Sequence, residues 1–343
     1  MTGIAGKRVL VTRPIPEAGM HLLREAGVEV ILQPEDRPIR RSDFLEKLRE
    51  VDAAIIMLTE RMDDEAVAAA SDGGVRCIAN FAVGIDNLRL PLLTAAGIYA
   101  TNTPGVLTDA TADLAWALLL AAARRVVEGD AWARKGTWEG WGPMQLVGKQ
   151  VTGATLGVVG AGRIGRAMAR RAMGFDMTVL YTPNTKGEPC PELEAFFPAG
   201  RCRMATVDEI AEQADFISLH VPLTSDTRHL ISAELIDRMK PGMILVNTAR
   251  GPVVDEEALI DSLENGGPIV AAGLDVFECE PFIPEKLRAL PNVVILPHIG
   301  SATRAVRSRM SEMTAESVLA ALRGTVPPRC LNGDAHIYQR HRG

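Results

Sequence analysis

Aromatic residues are scarce in this chain: phenylalanine, tryptophan and tyrosine make up only 4% of its 343 residues. Proteins that bind single-stranded nucleic acid stack the bases on aromatic side chains, so this scarcity argues against that class. Basic residues form no long cluster, and the net charge is −6, from 37 basic and 43 acidic residues. A polyanion would therefore find no favourable surface, and we expect no nucleic-acid partner.

The cysteines show no pairing pattern. There are five, an odd number, and none forms a Cys-x-x-Cys pair. Such a scattered set is typical of reduced thiols in an intracellular protein, and it predicts neither a disulfide framework nor a zinc site. The five are Cys77, Cys190, Cys202, Cys279 and Cys330.

Long apolar runs are also missing. The most apolar stretch, residues 114–123, is far too short to span a bilayer, and the start of the chain has no signal-type apolar region. Hydrophobic residues nevertheless make up 47% of the sequence, which predicts a sizeable core. We expect a soluble, cytoplasmic protein with no bound metal and no membrane partner, and the length suggests about two domains.

Strand and helix patterns alternate along the chain in two series. The first contains the strand signals "RVLVT", "VEVIL", "AAIIML", "VRCIANF" and "IYATN". The second begins at Ala154 and contains "ATLGVVG", "TVLYT", "FISLH", "MILVNTA", "PIVAAGLDV" and "VVILP". Strands that alternate with helices predict βαβ crossovers and parallel sheets, and the six signals of the second series match one doubly wound sheet.

A glycine-rich turn opens the second series. Its sequence, "GAGRIG", has the GxGxxG spacing and lies between the strand that ends at Val159 and a helix from about Arg163. The first glycine permits the tight turn, the second lets a pyrophosphate approach the backbone, and the third allows close helix–strand packing. A glycine turn between any strand and helix would explain the motif alone, but its strand–helix–strand context favours dinucleotide binding. The expected contacts are Gly160, Ala161, Gly162, Arg163, Ile164 and Gly165.

The acidic residue that usually follows such a motif is absent. About 20 residues beyond the loop, a carboxylate normally binds the ribose 2′-hydroxyl of NAD. Here the positions hold Pro183, Asn184, Thr185 and Lys186, and no carboxylate occurs before Glu188. Asn and Thr can donate hydrogen bonds to a 2′-phosphate and Lys adds positive charge, which favours NADP(H) with NAD(H) as the alternative. A turn that has lost its acid and binds NAD loosely is the competing explanation.

Three charged or titratable residues each follow a predicted strand. Arg250 ends "MILVNTAR", Glu280 follows "AAGLDVFEC", and His298 lies in "VVILPH". Ligands of open α/β sheets bind beyond the carboxyl ends of the strands, so all three are candidate site residues. Taken singly, each is better explained as a structural or solvated residue, and spacing does not show that they converge.

The three residue types suit the reduction of a 2-oxo acid. The reaction needs a hydride from nicotinamide, a proton for the developing alkoxide and a cation for the carboxylate. Histidine can give and take that proton near neutral pH, and a neighbouring carboxylate can hold the imidazole in one tautomer. Arginine offers a bidentate fork to a planar carboxylate.

Longer stretches identify a family. The chain resembles the D-specific 2-hydroxyacid dehydrogenases, and within them it is most similar to the glyoxylate/hydroxypyruvate reductases. The resemblance rests on "NFAVGIDN", "NTPGVLTDATADLAWALLLAAARR", "GVVGAGRIG", "HVPLTSDTRHLI", "NTARGPVVDEEAL", "AAGLDVFECEP" and "LPHIGSAT", in family order from about residue 8 to 328. It implies reduction of glyoxylate or hydroxypyruvate to the D-hydroxy acid by an NAD(P)-dependent enzyme.

The resemblance also assigns residues to roles. Arg250 would bind the substrate carboxylate and carbonyl, His298 would be the acid/base, and Glu280 would tune it. It implies a homodimer through the long helix near 108–126, with Trp141 reaching the partner's site. Further substrate contacts would be Leu58, Val83, Gly84 and Ser301; further cofactor contacts would be Thr108, His220, Val221, Pro222, Thr248, Ala249, Asp275 and Gly300.

The expected architecture is α/β, with two Rossmann/flavodoxin-like parallel-sheet domains and a cleft between them. Residues 1–103, completed by 299–328, would form the substrate domain; 104–298 would form the dinucleotide-binding domain, and 329–343 a tail. Two alternatives stay open at this point. One is a dehydrogenase for a bulkier 2-hydroxy acid or 3-phosphoglycerate, and the other is a cofactor-sensing protein that resembles the corepressors of this fold.

Overall fold

The chain forms two compact units in the computed structural model, which describes residues 3–184 and 187–333. One unit comprises the residues up to Leu107 together with those from Ala302 onward, and the other comprises Thr108–Ser301. In neither unit is a described helix both long enough and apolar enough to cross a bilayer.

The first unit is built on a five-stranded parallel sheet with the order β2-β1-β3-β4-β5, which is the flavodoxin-like order. The central strands β3 and β4 are buried along their whole length, because helices cover both faces of a parallel sheet. The strands are β1 (Arg8–Val11), β2 (Glu29–Leu32), β3 (Ala53–Ile56), β4 (Cys77–Asn80) and β5 (Tyr99–Thr101); the helices are α1 (Glu17–Glu25), α2 (Arg41–Leu48), α3 (Asp64–Asp72), α4 (Leu90–Ala95) and, from the end of the chain, α13 (Arg304–Leu322).

The last helix completes the first unit. Helix α13 packs on α1, β3 and β4. Its Ser311 hydroxyl accepts a hydrogen bond of 2.7 Å from the backbone N–H of Gly19, and a Cβ atom at Gly19 would overlap the Ser311 carbonyl. Residues 329–333 then lie along β5, where the N–H of Leu331 donates to the carbonyl of Ala100 over 2.8 Å.

The second unit is built on a seven-stranded parallel sheet with the order β12-β11-β10-β9-β6-β7-β8. This is the doubly wound order with one added strand, and its switch point lies between β6 and β9. The strands are β6 (Thr155–Val159), β7 (Thr178–Tyr181), β8 (Cys202–Met204), β9 (Phe216–Leu219), β10 (Met243–Asn247), β11 (Ile269–Leu274) and β12 (Val293–Ile295). The helices are α5 (Thr108–Ala123), α6 (Val126–Arg134), α7 (Arg163–Ala172), α8 (Pro191–Glu194), α9 (Val207–Gln213), α10 (Ala233–Asp237), α11 (Glu256–Glu264) and α12 (Glu285–Ala289), with 3-10 turns at Met173–Phe175 and Gly251–Val253.

These two sheets confirm the predicted fold class, but two details of the prediction are wrong. The second sheet has seven strands rather than six, because the edge strand β8 reads Cys-Arg-Met and, unlike the equally short β12, is not an apolar run. The helix expected near 108–126 ends at Ala123. Arg125 has a φ of 52°, a left-handed conformation that breaks the helix, and the N–H of Lys149 donates to the Ala123 carbonyl over 2.8 Å.

Candidate active site

The glycine loop joins β6 to α7 and has little space on its inner side. Gly160 has a φ of +98°, its N–H donates to the Thr182 hydroxyl over 2.7 Å, and a Cβ atom there would lie 2.9 Å from the backbone of His220. A Cβ atom at Gly165 would overlap the carbonyl oxygen of Gly160. Only glycine fits these two positions, as the motif predicts.

The outer side of the same loop is open. A Cβ atom at Gly162 would meet nothing within 4 Å, and Gly162 caps the ten-residue helix α7. Unpaired N–H groups and the positive end of the helix dipole there attract a phosphate group. Ala161 is fully buried and Ile164 packs on the core, whereas Arg163 is exposed. The loop therefore fits a pyrophosphate, with space on one side only.

The end of β7 lies directly beside this loop. Thr182 binds Gly160 through its side chain, and its carbonyl accepts the N–H of Ala161 over 3.0 Å. Pro183 and Asn184 follow at once, so both lie close to the glycine turn. The predicted contacts Thr185 and Lys186 lie outside the described residues.

His220 marks the other side of the switch point, at the end of β9. Its N–H donates to the Val159 carbonyl over 2.8 Å, and its Nε2 lies 2.9 Å from the Ser218 hydroxyl. Burial lowers the pKa of His220 to about 3, so its ring is neutral at physiological pH. His220, with Val221 and Pro222 after it, can line a cofactor site but cannot supply a cation there.

Arg250 is carried by a turn that a buried asparagine fixes. The side chain of Asn247, at the end of β10, accepts the N–H of Ala249 over 3.0 Å and donates to the carbonyl of Arg250 over 2.9 Å. The next residue, Gly251, lies so close to the chain at Phe277 that a Cβ atom would overlap the Phe277 carbonyl group. The Arg250 turn is thereby packed against the segment that leads to Glu280.

Glu280 and His298 form a hydrogen-bonded pair. The Glu280 carboxylate accepts the N–H of Phe277 over 3.1 Å through Oε1, and its Oε2 lies 2.8 Å from Nδ1 of His298. The two side chains remain about one-third exposed, at 35% and 32%. With Nδ1–H held by the carboxylate, Nε2 is the ring atom left to exchange a proton. Within residues 3–184 and 187–333, Nε2 has no hydrogen-bond partner.

A buried aspartate holds the backbone that carries His298. His298 has a φ of 55°, a left-handed conformation that costs on the order of 1 kcal/mol for a residue with a Cβ atom. The Asp275 carboxylate accepts the next two N–H groups, of Ile299 and Gly300, each over 2.7 Å. Burial is the main cause that raises the pKa of Asp275, and the Glu280 charge adds to it. These two hydrogen bonds keep the His298 ring beside Glu280.

One buried hydroxyl at this edge of the sheet has no protein partner. Thr248, directly before Ala249 on the Arg250 turn, has a buried Oγ1 without a hydrogen bond in the described chain. Burying such a group unpaired is unfavourable, so a polar group of a bound ligand would stabilise it. This hydroxyl and the open side of the glycine loop fit a dinucleotide cofactor. The described residues contain no cluster that could bind a metal ion.

Comparison with known proteins agrees with this geometry. The family model described as "D-isomer specific 2-hydroxyacid dehydrogenase, NAD binding domain" matches residues 116–300. The chain belongs to this family. It is thus a nicotinamide-dependent dehydrogenase, as the resemblance of its motifs predicts.

Relatives of this dehydrogenase match nearly its whole length. The glyoxylate reductase of Thermococcus onnurineus (strain NA1) is 48% identical over 329 residues, which cover 95% of this chain and 96% of the relative. The crystal structure of the TT0316 protein from Thermus thermophilus is 45% identical with a TM-score of 0.86, over 94% of this chain and 99% of that one. An NADPH-dependent glyoxylate/hydroxypyruvate reductase from Sinorhizobium meliloti, solved with NADP and malonate, is 33% identical with a TM-score of 0.77, over 92% and 93% of the two chains.

The remaining predicted residues of the dehydrogenase divide between the two units. Leu58 lies in the turn after β3, and Val83 and Gly84 lie in the loop after β4, all in the first unit and partly exposed. In the second unit, Thr108 is the first residue of α5 and Ser301 is the last residue of the unit. Trp141 is 84% exposed.

Three residues that the sequence analysis did not single out, His229, Glu256 and Glu278, support the segment that leads to Glu280. The N–H of His229 donates to the Pro252 carbonyl over 2.8 Å, and its Nε2 contacts the Glu278 carboxylate. The N–H of Glu278 in turn donates weakly to Glu256 over 3.5 Å, and burial raises the pKa of Glu256. The only sequence signal for this pair was a second acid two residues before Glu280 and a histidine in "TRHLI".

Proposed function

We propose that this dehydrogenase reduces glyoxylate, and the related hydroxypyruvate, to the D-2-hydroxy acid. The observation that carries the proposal is the 2.8 Å pair of Glu280 and His298 at the sheet edge that bears the glycine loop. The relatives named glyoxylate reductase, at up to 48% identity over almost the entire chain, support a small 2-oxo acid as the substrate.

His298 would supply the proton of this reaction. The nicotinamide cofactor, when bound, supplies a hydride to the carbonyl carbon. The carbonyl oxygen takes its proton from Nε2 of His298, and the carbonyl group thereby becomes an alcohol. Glu280 holds Nδ1–H and stabilises the imidazolium before transfer, which fixes Nε2 as the donating atom.

Arg250 would bind the carboxylate of the 2-oxo acid. Its guanidinium can offer two parallel N–H groups to a planar carboxylate, and a single ammonium cannot reproduce that arrangement. The Asn247 side chain fixes the backbone on both sides of the arginine. In this proposal the arginine orients the carbonyl group, and the histidine completes the reaction.

A steady-state assay tests the function and the cofactor together. We expect turnover of glyoxylate and hydroxypyruvate with NADPH, and a KM for NADH at least about ten times higher, because residues 183–187 contain no carboxylate to bind a 2′-hydroxyl. The matched variant Asn184→Asp should raise the KM for NADPH, since a carboxylate repels the 2′-phosphate.

Tenfold tighter NADH binding would contradict the cofactor proposal. A preference for bulkier 2-oxo acids would contradict the proposal that glyoxylate and hydroxypyruvate are the substrates. The absence of any turnover would favour a cofactor-sensing role.

We further propose that the protein is a homodimer through the long helix near 108–126 and the residues that follow it, up to Val147. Large apolar side chains are exposed in residues 126–147, which is unusual for a surface that faces only water. We expect a single dimeric species in sedimentation velocity, and a monomer for Trp141→Lys combined with Val127→Lys. A wild-type monomer at micromolar concentration would contradict this proposal. The exposed fractions are 53% for Val126, 52% for Val127, 57% for Trp138, 84% for Trp141, 82% for Met144 and 59% for Val147.

A further inference from the structure

The loop that follows β4 is bound along one side through its carbonyl groups. Three successive carbonyls of this loop, residues 82–84, each accept one hydrogen bond. All three donors lie at the carboxyl ends of β4 and β5, within the first unit. The N–H of Thr103 donates to Ala82, the side-chain amide of Asn102 donates to Val83, and the side-chain amide of Asn80 donates to Gly84, each over 2.8 Å.

These three hydrogen bonds determine where the loop's N–H groups point. In a trans peptide the N–H points opposite to the C=O of the same peptide plane. The three planes carry the N–H groups of Val83, Gly84 and Ile85, which therefore point away from β4 and β5. None of these N–H groups has an acceptor in the described parts of the chain. Val83 and Gly84 are half-buried and Ile85 is 36% exposed, so a ligand can reach them.

The amide of Asn80 is locked in this orientation. Asn80 is fully buried and forms a reciprocal pair with Asn87: each Nδ2 donates to the other Oδ1, over 3.1 and 3.2 Å. The same Nδ2 of Asn87 also lies 3.0 Å from the carbonyl of Glu60 and 3.2 Å from that of Met57, so its two hydrogens are shared among three acceptors. Turning the Asn80 amide over would place its oxygen against the Gly84 carbonyl and break the pair. The Gly84 peptide plane thus has one stable orientation.

We infer that Asn80 and Asn102 are positioning residues that aim the N–H groups of residues 83–85 at the substrate carboxylate. Successive backbone N–H groups that point to one side form a concave anion site, and hydrogen bonds to a charged acceptor are the strong ones. The ligand class is the carboxylate of a small 2-oxo acid, so the inference rests on the proposed function. The two asparagines themselves need not touch the substrate.

Asn102 offers the cleaner test, because its side chain makes one hydrogen bond to the residues that the structure describes, whereas Asn80 belongs to a network. Oxamate, an unreactive 2-oxo acid analogue, is titrated by calorimetry into the protein saturated with NADPH. For Asn102→Ala we expect a Kd for oxamate about ten times higher, and a KM for glyoxylate raised by the same factor. The Kd for NADPH and kcat should stay within about twofold, because the catalytic histidine is in the other unit. The isosteric Asn102→Asp, which cannot donate, should weaken oxamate binding at least as much.

Asn332→Ala is the matched control. The Asn332 side chain makes hydrogen bonds in the same unit, to Ala100, Thr94 and Ile98, and none to residues 82–85. It should lower the melting temperature without changing the Kd for oxamate. An unchanged Kd for oxamate in Asn102→Ala would overturn the inference. An equal rise of this Kd in Asn102→Ala and in Asn332→Ala would also overturn it. Glyoxylate turnover by the wild type separates the two proposals: if it is present while Asn102→Ala binds oxamate normally, only this inference fails.

Discussion

Replacing His298 by alanine should lower kcat for glyoxylate about 100- to 10,000-fold, the usual contribution of a general acid. The loss is expected because Nε2 of His298 is the only proton-exchanging ring atom that the Glu280 hydrogen bond leaves available. The Kd for NADPH, measured by fluorescence titration, should not change. The ring contacts the Glu280 carboxylate and none of the glycine-loop residues among those described.

Two variants make this result specific. His21→Ala removes a surface imidazole of α1 that is 63% exposed and, among the described residues, is paired only with Glu25; it should leave kcat unchanged. Glu280→Gln retains the size of the carboxylate but not its charge, so kcat should fall less than in His298→Ala. Wild-type kcat in His298→Ala would exclude this histidine as the acid, and loss of NADPH binding would show that the change acts through the fold.

Of the glycine-to-alanine substitutions in the second unit, Gly251→Ala should lower the free energy of unfolding most. A Cβ atom at this position would overlap the carbonyl carbon and oxygen of Phe277, both backbone atoms that no rotamer change can move. Overpacking of this kind costs about 3 kcal/mol of the free energy of unfolding. Relaxing the overlap must separate the Arg250 turn from the Glu280 segment. Activity should therefore fall by more than the loss of folded protein alone would explain. Chemical denaturation and kcat/KM on the folded protein measure the two effects.

Gly174→Ala is the matched control for that variant. It adds the same methyl group in the same unit, but its Cβ atom would meet nothing within 4 Å, and Gly174 has no positive φ. Its free energy of unfolding should stay within about 0.5 kcal/mol of the wild type. Equal stability of Gly251→Ala and Gly174→Ala would mean that the close approach at Phe277 can open without penalty.

The prediction of site residues from the sequence worked best where only one residue type can fill a position. Gly160 and Gly165 were assigned from their spacing and from the strand–helix–strand context, and the structure leaves no space for a side chain at either. The strands of both sheets were found because buried parallel strands are continuous apolar runs, and β8 was missed because its sequence, Cys-Arg-Met, is not such a run. Arg250, Glu280 and His298 were placed at strand ends by the same logic.

The sequence could not show what depends on distant contacts. Nothing in the local pattern indicates that Asp275 binds the two N–H groups after His298, or that Asn247 fixes both sides of Arg250 through hydrogen bonds to Ala249 and Arg250. His229 and Glu278 are 49 residues apart, and only the fold brings them together. Side-chain amides that orient peptide planes leave no periodic signal, so Asn80 and Asn102 were equally invisible.

The position of α13 sets an order of events during synthesis. The first sheet needs this helix to cover β3 and β4, yet α13 comes after every other described helix in the chain. Residues 108–301 can complete their own sheet before α13 emerges, because every strand of that sheet lies within the range. The five strands of the first unit must therefore wait, one apolar face uncovered, until residues 304–322 have been synthesised.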